Sequence, residues 1–319
     1  MNIEGSTMNT EGDLSFINNS EEHETVLMQS TNFSIRNSAK LQFINNSARK
    51  QAGGLFVYRT TVIVEDNASM TFTNNTASKN GAMCMLVSKL KIRNNANITF
   101  INNSVRTESG AFAAELSSIY LENNTHAIFI QNLAENAGAM ALWSSTLNIK
   151  HNANITFIND SASVNGGAMV IAGTNESDSF ITGLQIRSNA TVIFINNSAK
   201  GVGGALFTYS SRLILVNGIS MIINFFGNSA RSGGAMVLIS SSLEFRGGTT
   251  NMTFENNSAK EDGGAILVQP DLLYYTVQYM ELVYTHCLYK TDSTTEEHIF
   301  YFLNNSAERA GSDVMVLHC

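Results

Sequence analysis

The feature that most constrains this chain is a five-residue unit, Phe-x-Asn-Asn-Ser/Thr, that recurs along its length. Its Phe, in some copies with a degenerate remainder, stands at positions 16, 43, 72, 100, 129, 157, 194, 225, 254 and 302. Successive spacings are 27, 29, 28, 29, 28, 37, 31, 29 and 48 residues. From Phe43 onward each Phe is followed, nine to eleven residues later, by a glycine: Gly54, Gly81, Gly110, Gly138, Gly167, Gly204, Gly234, Gly264 and Gly311. Two motifs alternating in phase nine times define a repeat architecture. In such chains a unit buries its apolar face only by stacking on the next.

The unit from Gly138 to Gly167 shows what is stacked. Ala139-Met140-Ala141-Leu142-Trp143 is a short apolar run opened by glycine, as a buried strand would be. Leu147-Asn148-Ile149 and Ile155-Thr156-Phe157 alternate apolar and polar residues, the half-buried strand pattern. His151-Asn152-Ala153, Asn159-Asp160-Ser161 and Asn165-Gly166-Gly167 are turn clusters, since Asn and Gly tolerate positive φ. Three short strands and three turns in about 28 residues make one coil of a solenoid. The expected fold is all-β: a right-handed parallel β-helix of about ten coils with three short strands each. Phe would stack inside and Asn would form amide ladders between coils. A leucine-rich-repeat reading, suggested by Leu90-x-Ile92-x-x-Asn95, leaves the Phe-x-Asn-Asn and glycine motifs unexplained.

Composition agrees. The chain has 319 residues, 44% of them hydrophobic and 14% charged, enough for a sizeable core. A single proline fits long uninterrupted backbone pairing. The net charge is -7 and Lys and Arg are scattered singly, which offers no basic face for nucleic acid. No run of 18 apolar residues occurs, so no transmembrane helix is expected. Met1 to Ser6 lacks the basic and apolar regions of a signal peptide. The expected domain plan is an irregular segment over 1–13 and one β-helix domain over 14–319, with insertions at about 172–183 and 269–300. Because both terminal segments enter or leave mid-coil, we expect an excerpt of a longer protein that associates end to end.

Phe43-Ile44-Asn45-Asn46 with Gly53-Gly54, and Phe254-Glu255-Asn256-Asn257 with Gly263-Gly264-Ala265-Ile266, resemble the Phe-x-x-Asn and Gly-Gly-Ala-(Ile/Leu/Val) repeats of the polymorphic outer-membrane proteins. The resemblance covers residues 14 to 319. It implies a surface-exposed β-helix used in adhesion, at the cell surface or outside the cell, with partners that are proteins or glycans on another surface.

No catalytic, cofactor-binding or metal-ligating set is expected. A carbohydrate-active β-helix, the alternative reading, needs paired carboxylates on one face. Glu115, Glu122, Glu135, Glu176, Asp178 and Glu244 occupy different places in their coils, Asp160 replaces a ladder Asn, and Glu261-Asp262 lies in a turn. The six histidines share no zinc spacing, and the Gly-Gly-x-Gly-x-Asp calcium repeat is absent. A purely structural spacer is the third reading. Of the three cysteines, Cys84 reads as a buried thiol and Cys287 and Cys319 as loosely placed ones.

Three further expectations concern surfaces. Asn-x-Ser/Thr triplets are numerous, beginning for example at Asn45, Asn74, Asn102, Asn154, Asn196, Asn256 and Asn304. A glycan would be excluded from a ladder-forming Asn, which leaves Asn154, Asn175 and Asn189 as the better acceptors. The insertions project as loops, the second carrying Tyr274, Tyr275, Tyr279, Tyr284 and Tyr289, residues suited to recognition or to a self-packed cap. In the strand after each glycine, position two (Phe56, Met83, Phe112, Met140, Met169, Leu206, Met236, Ile266) and position three (Val57, Cys84, Ala113, Ala141, Val170, Phe207, Val237, Leu267) are both apolar. Neighbouring residues of a strand face opposite ways, so one column should form an exposed apolar strip open to self-association or a partner.

Overall fold

The computed structural model describes residues 1–173, 182–269, 289–290 and 298–316. Among these residues every regular element is a β-strand and strand pairs with strand in parallel. The result is a parallel β-solenoid of about nine turns, repeating roughly every 29 residues. Three sheets run along it: one of eleven strands, nine of them the segments after the glycines, one of 18 from the two alternating segments, and one of ten two-residue strands.

The third sheet adds a fourth strand to each coil. Its Ser-Ala pairs, such as Ser161-Ala162 between Leu133-Ala134 and Ser198-Ala199, fall where the sequence suggests only a turn. Two residues are too few for periodicity to reveal, and it is the stacked coils that make them a strand. Residues 1–13 differ from expectation for a similar reason. Asn2–Glu4 pairs with Val26–Gln29, and Thr7–Thr10 with Asn32–Ile35. A neighbouring coil's open edge orders a backbone that carries no motif of its own.

The Asn-rich corners follow from local chemistry, whereas the corner leading out of the first sheet holds Arg59, Val87, Leu116, Ser144, Ser210 and Ser240 at positive φ. Between the two strands of the second sheet stand pairs of left-handed residues: Asp66-Asn67, Asn94-Asn95, Asn123-Asn124, His151-Asn152 and Ser188-Asn189, with φ between 49° and 62°. Asn and Asp accept this conformation more readily than other side chains. The next residue, Ala68, Ala96, Ala153 or Ala190, is fully buried. After each Phe strand, the first Asn of the pair again takes a positive φ, as at Asn45, Asn74, Asn102 and Asn196. It turns the chain, and the second Asn points inward.

The Phe column lies in the core. From Phe43 to Phe254 the rings are buried and stack with centroids 4.8–4.9 Å apart and interplanar angles of 3–17°. That distance is the spacing of neighbouring strands, so the backbone ladder sets the ring stack. Phe100 and Phe157 both lie in this column, each stacked on Phe129.

Candidate binding surface

Hydrogen-bonded ladders hold the corners, and two of them are buried. The first is the amide ladder. Asn103 is representative: its backbone N–H and its Nδ2 both donate to Oδ1 of Asn132 at 3.0 Å, and Nδ2 also donates to the Phe72 carbonyl at 3.0 Å. The pattern runs from Asn46 through Asn75, Asn103 and Asn132 and continues through Asn197, Asn228 and Asn257 to Asn305. One rung, Asp160, is an acid. Burial raises its carboxyl from the ordinary 3.8 to about 7, although hydrogen bonds from Asn132 pull the other way.

The second ladder, at the corner leading out of the first sheet, is not evident from the repeat motifs. Thr31, Thr60, Ser88, Ser117 and Ser145 are buried, and the backbone N–H of each of the first four donates to the next hydroxyl oxygen at 2.9–3.3 Å. Each hydroxyl donates to the carbonyl two residues before it, as Ser117 does to Glu115. A Ser or Thr recurring at the coil period is the signal that would have revealed it.

The outer face of the first sheet is closed. Leu55, Met83, Phe112, Met140, Met169, Leu206, Met236 and Ile266 form the inner column of the main core. Leu55, not Phe56, pairs with Met83, so the Gly54 coil is offset by one from the count after its second glycine. The outer column is Phe56, Cys84, Ala113, Ala141, Val170, Phe207, Val237 and Leu267. It is not the exposed strip expected from the sequence. Cys84, Ala113, Ala141, Val170, Val237 and Leu267 are each at most 5% exposed. They are covered because the segment before each glycine folds back across the sheet. Ala52 packs on Cys84, Ala113 and Phe56, while Ala137 packs on Ala141 and Val170, with Trp143 and Phe207 beside them. Gly166, at φ 63°, lies so near that a Cβ there would stand 2.5 Å from the Val170 methyl. Successive covering segments are bonded to one another, as Ala137 N–H is to the Asn165 carbonyl and Gly166 N–H to the Val202 carbonyl, both 3.0 Å. Beneath this cover, burial pushes the Cys84 thiol pKa up, with Glu115 and Glu108 adding to the effect.

The outer face of the Phe strands is open. Its outward residues run Gln42 and Ile44, Thr71 and Thr73, Thr99 and Ile101, Ile128 and Ile130, Thr156 and Ile158, Ile193 and Ile195, in register. All of these are half-buried and uncharged; the row at the strand starts, Lys40, Ser69, Asn97, His126, Asn154 and Thr191, adds one charge, Lys40, to the same face. Around the corner, the neighbouring strands carry a column of alternating charge. Glu65, a buried residue, accepts on Oε2 from both Nε and Nη2 of Arg93 at 2.6–2.7 Å, and its Oε1 faces Arg36 at 3.6 Å; Lys150 then meets Glu122 at 3.3 Å. Glu65 was not singled out from sequence. Its place emerges only when the coils are aligned, because opposite charges recur one coil apart.

The sequence candidates for acid chemistry are dispersed. Glu115 and Glu135 are exposed on different corners, and Glu122 is tied to Lys150. Glu244 is held below the usual carboxylate range: burial would raise it, but bonds from Arg246 and Ser242 outweigh that. Asp262 is also held low, by the bidentate Arg309 beside it. Among the described residues, no three His, Cys, Asp or Glu come together as a metal site. Glu176, Asp178, Asn175, Cys287, Cys319, Tyr274, Tyr275, Tyr279 and Tyr284 lie outside the described residues. Tyr289 is described only as a strand residue paired with Glu244.

The glycan expectation changes. In Asn45-Asn46-Ser47 the residue that begins the triplet is Asn45, which is exposed, whereas the ladder residue is Asn46. Asn74, Asn102, Asn196, Asn256 and Asn304 are exposed in the same way. The buried ladder therefore does not occupy these positions, although Asn74 Nδ2 donates to Asn45 Oδ1 at 3.1 Å and Asn102 Nδ2 to Asn74 Oδ1 at 2.8 Å in an exposed ladder of their own. Asn189 is exposed too, while Asn154 is half-buried with Nδ2 3.4 Å from His126 Nδ1.

A solenoid with one covered face, one open and largely uncharged face, and internal ladders belongs to the class of rigid repeat scaffolds. Residues 191–209 and 251–269 match the family model described as the Chlamydia polymorphic membrane protein repeat. Each match runs from a Phe strand through the Asn-Asn corner and the paired glycines to the end of the following first-sheet strand. The chain thus carries repeats of the polymorphic outer-membrane protein type. No curated protein and no solved structure matches it. The repeat family points to a surface or outer-membrane protein and is not an enzyme family. No helix among the described residues is long and apolar enough to cross a membrane.

Proposed function

We propose that this chain is a non-catalytic scaffold, displayed at a cell surface or outside the cell, that binds a protein or glycan on another surface. The observation that carries the reading is the match of residues 191–209 and 251–269 to the Chlamydia polymorphic membrane protein repeat. The architecture supports it. A ladder-locked solenoid needs no folding on contact, so its outward residues meet a partner already ordered, which lowers the entropic cost of binding. The open face, mostly Thr and Ile in its central coils, offers a broad surface for such contact.

The chain displayed on an inert cell should adhere to a second cell type, and the double variant Ile130→Lys, Ile158→Lys should adhere less while remaining folded. Adhesion no greater than that of the undecorated cell, across a panel of cell types and immobilised glycans, would remove this function. Release of new sugar ends from a polysaccharide panel would instead favour the carbohydrate-active reading.

A further inference from the structure

The amide ladder contains one anomaly. At every rung with an Asn on both sides, Nδ2 donates to Oδ1 of the coil above and to the Phe carbonyl of the coil below. Asn75 donates to Asn103 and Phe43, and Asn228 to Asn257 and Phe194. Asp160 keeps half of this pattern. Its Oδ1 accepts from the Asn132 backbone at 2.8 Å and from Asn132 Nδ2 at 2.9 Å, and its own backbone N–H donates to Asn197 Oδ1 at 2.9 Å. Its Oδ2 occupies the place of the missing amide nitrogen. By the ladder's register it stands between the Phe129 carbonyl and Asn197 Oδ1, both acceptors. Oδ2 is fully buried and has no donor partner.

An ionised carboxylate in this place would set a negative oxygen against two acceptors, in a site closed to water. Unpaired buried charge of that kind is among the most costly arrangements in a protein. A carboxylic acid meets no such conflict, because its O–H donates where the amide donates elsewhere. The residues around it, Phe129, Asn132, Leu133, Ser161, Asn197 and Ser198, bear no charge that could stabilise the anion. The upward displacement of this carboxyl, to about 7, has burial as its largest cause and agrees with that geometry.

We infer that Asp160 is held as the neutral acid, its Oδ2 hydroxyl completing the ladder, and that its ionisation loosens the stack between the Phe129 and Phe194 coils: a pH-sensitive latch inside the solenoid. The inference concerns the fold's response to pH and stands whether or not the chain acts in adhesion. Its sign follows from linkage. The folded state keeps a proton that the unfolded chain releases near 3.8, so the stabilisation is full below that value. It is lost as pH rises toward about 7 and changes no further above it. Over that interval one proton is taken up on folding, and the unfolding constant should rise about tenfold per pH unit from this group alone.

Asp160→Asn restores the amide and should fold at least as well as the parent. The experiment is urea unfolding of both chains from pH 4 to pH 8. The ratio of their unfolding constants should climb about tenfold per pH unit up to about 7 and then level. In the parent at pH 5, infrared spectra should also show a protonated-carboxyl C=O band that the variant lacks. Adding Asn103→Asp to the Asp160→Asn chain should move the same pH dependence to a new rung. A ratio that stays flat, with no band lost, would mean that Asp160 is an ordinary carboxylate and would overturn the latch.

Discussion

Val170 and Ile158 both point away from the core of one solenoid, and both are β-branched and apolar, yet they live in different environments. Val170 is 2% exposed beneath the segment that carries Ala137. Ile158 stands half-open on a face with no such cover. The difference does not come from the strands, which are parallel and in register in both places. It comes from the connections. The corner after Phe157 needs one left-handed Asn, Asn159, and passes directly into the next strand. The connection from Ala162 to Gly167 is longer and crosses back over its own sheet. A two-sided apolar strand can therefore signal a second, local core as readily as an interface.

Substitutions can test this contrast. The reference is the core on which both faces rest: Phe157→Ala removes a ring from the middle of the stack and should cost about 3–5 kcal/mol in urea unfolding. A smaller but still large loss is expected under the cover. Val170→Lys buries an unpaired ammonium or displaces the covering segment, and should cost about 2–4 kcal/mol. A cost under 1 kcal/mol would show that the cover yields freely. At the corner between these regions, Ser117→Ala leaves the Ser88 backbone N–H without its acceptor and should cost about 1–2 kcal/mol. On the open face, Ile158→Lys should change stability by no more than about 0.5 kcal/mol.

Thiol chemistry offers a sharper form of the same comparison. Cys84 lies in the covered column with its pKa pushed up, so it should resist alkylation until the chain unfolds. A cysteine placed by Ile158→Cys should be modified in the folded protein. Equal rates at the two sites, read by mass spectrometry, would erase the distinction between the faces.

Legibility in the sequence followed physical necessity. Phe157 and its column recur because a core ring must meet a ring one coil away, and the Asn103 column recurs because each amide bonds its own kind. Such positions repeat at the coil period and so announce the fold. The Ser117 column repeats as well, but Ser and Thr are common enough in turns to escape notice. Glu65 was hidden because its partners, Arg36 and Arg93, lie about one coil away on either side, and charge alternation appears only once coils are aligned.

The sequence by itself determined that this chain coils, where its core column lies and that its Asn-rich corners carry left-handed residues. These depend on side-chain type at a fixed period and on local backbone preference. Tertiary structure alone decided which apolar column is covered, that Ser-Ala pairs form a sheet, and that Asp160 has an oxygen with nothing to accept from. Each of these depends on what the adjacent coil or a returning loop brings to within about 3 Å, the reach of a hydrogen bond, and no periodicity along one chain specifies that distance.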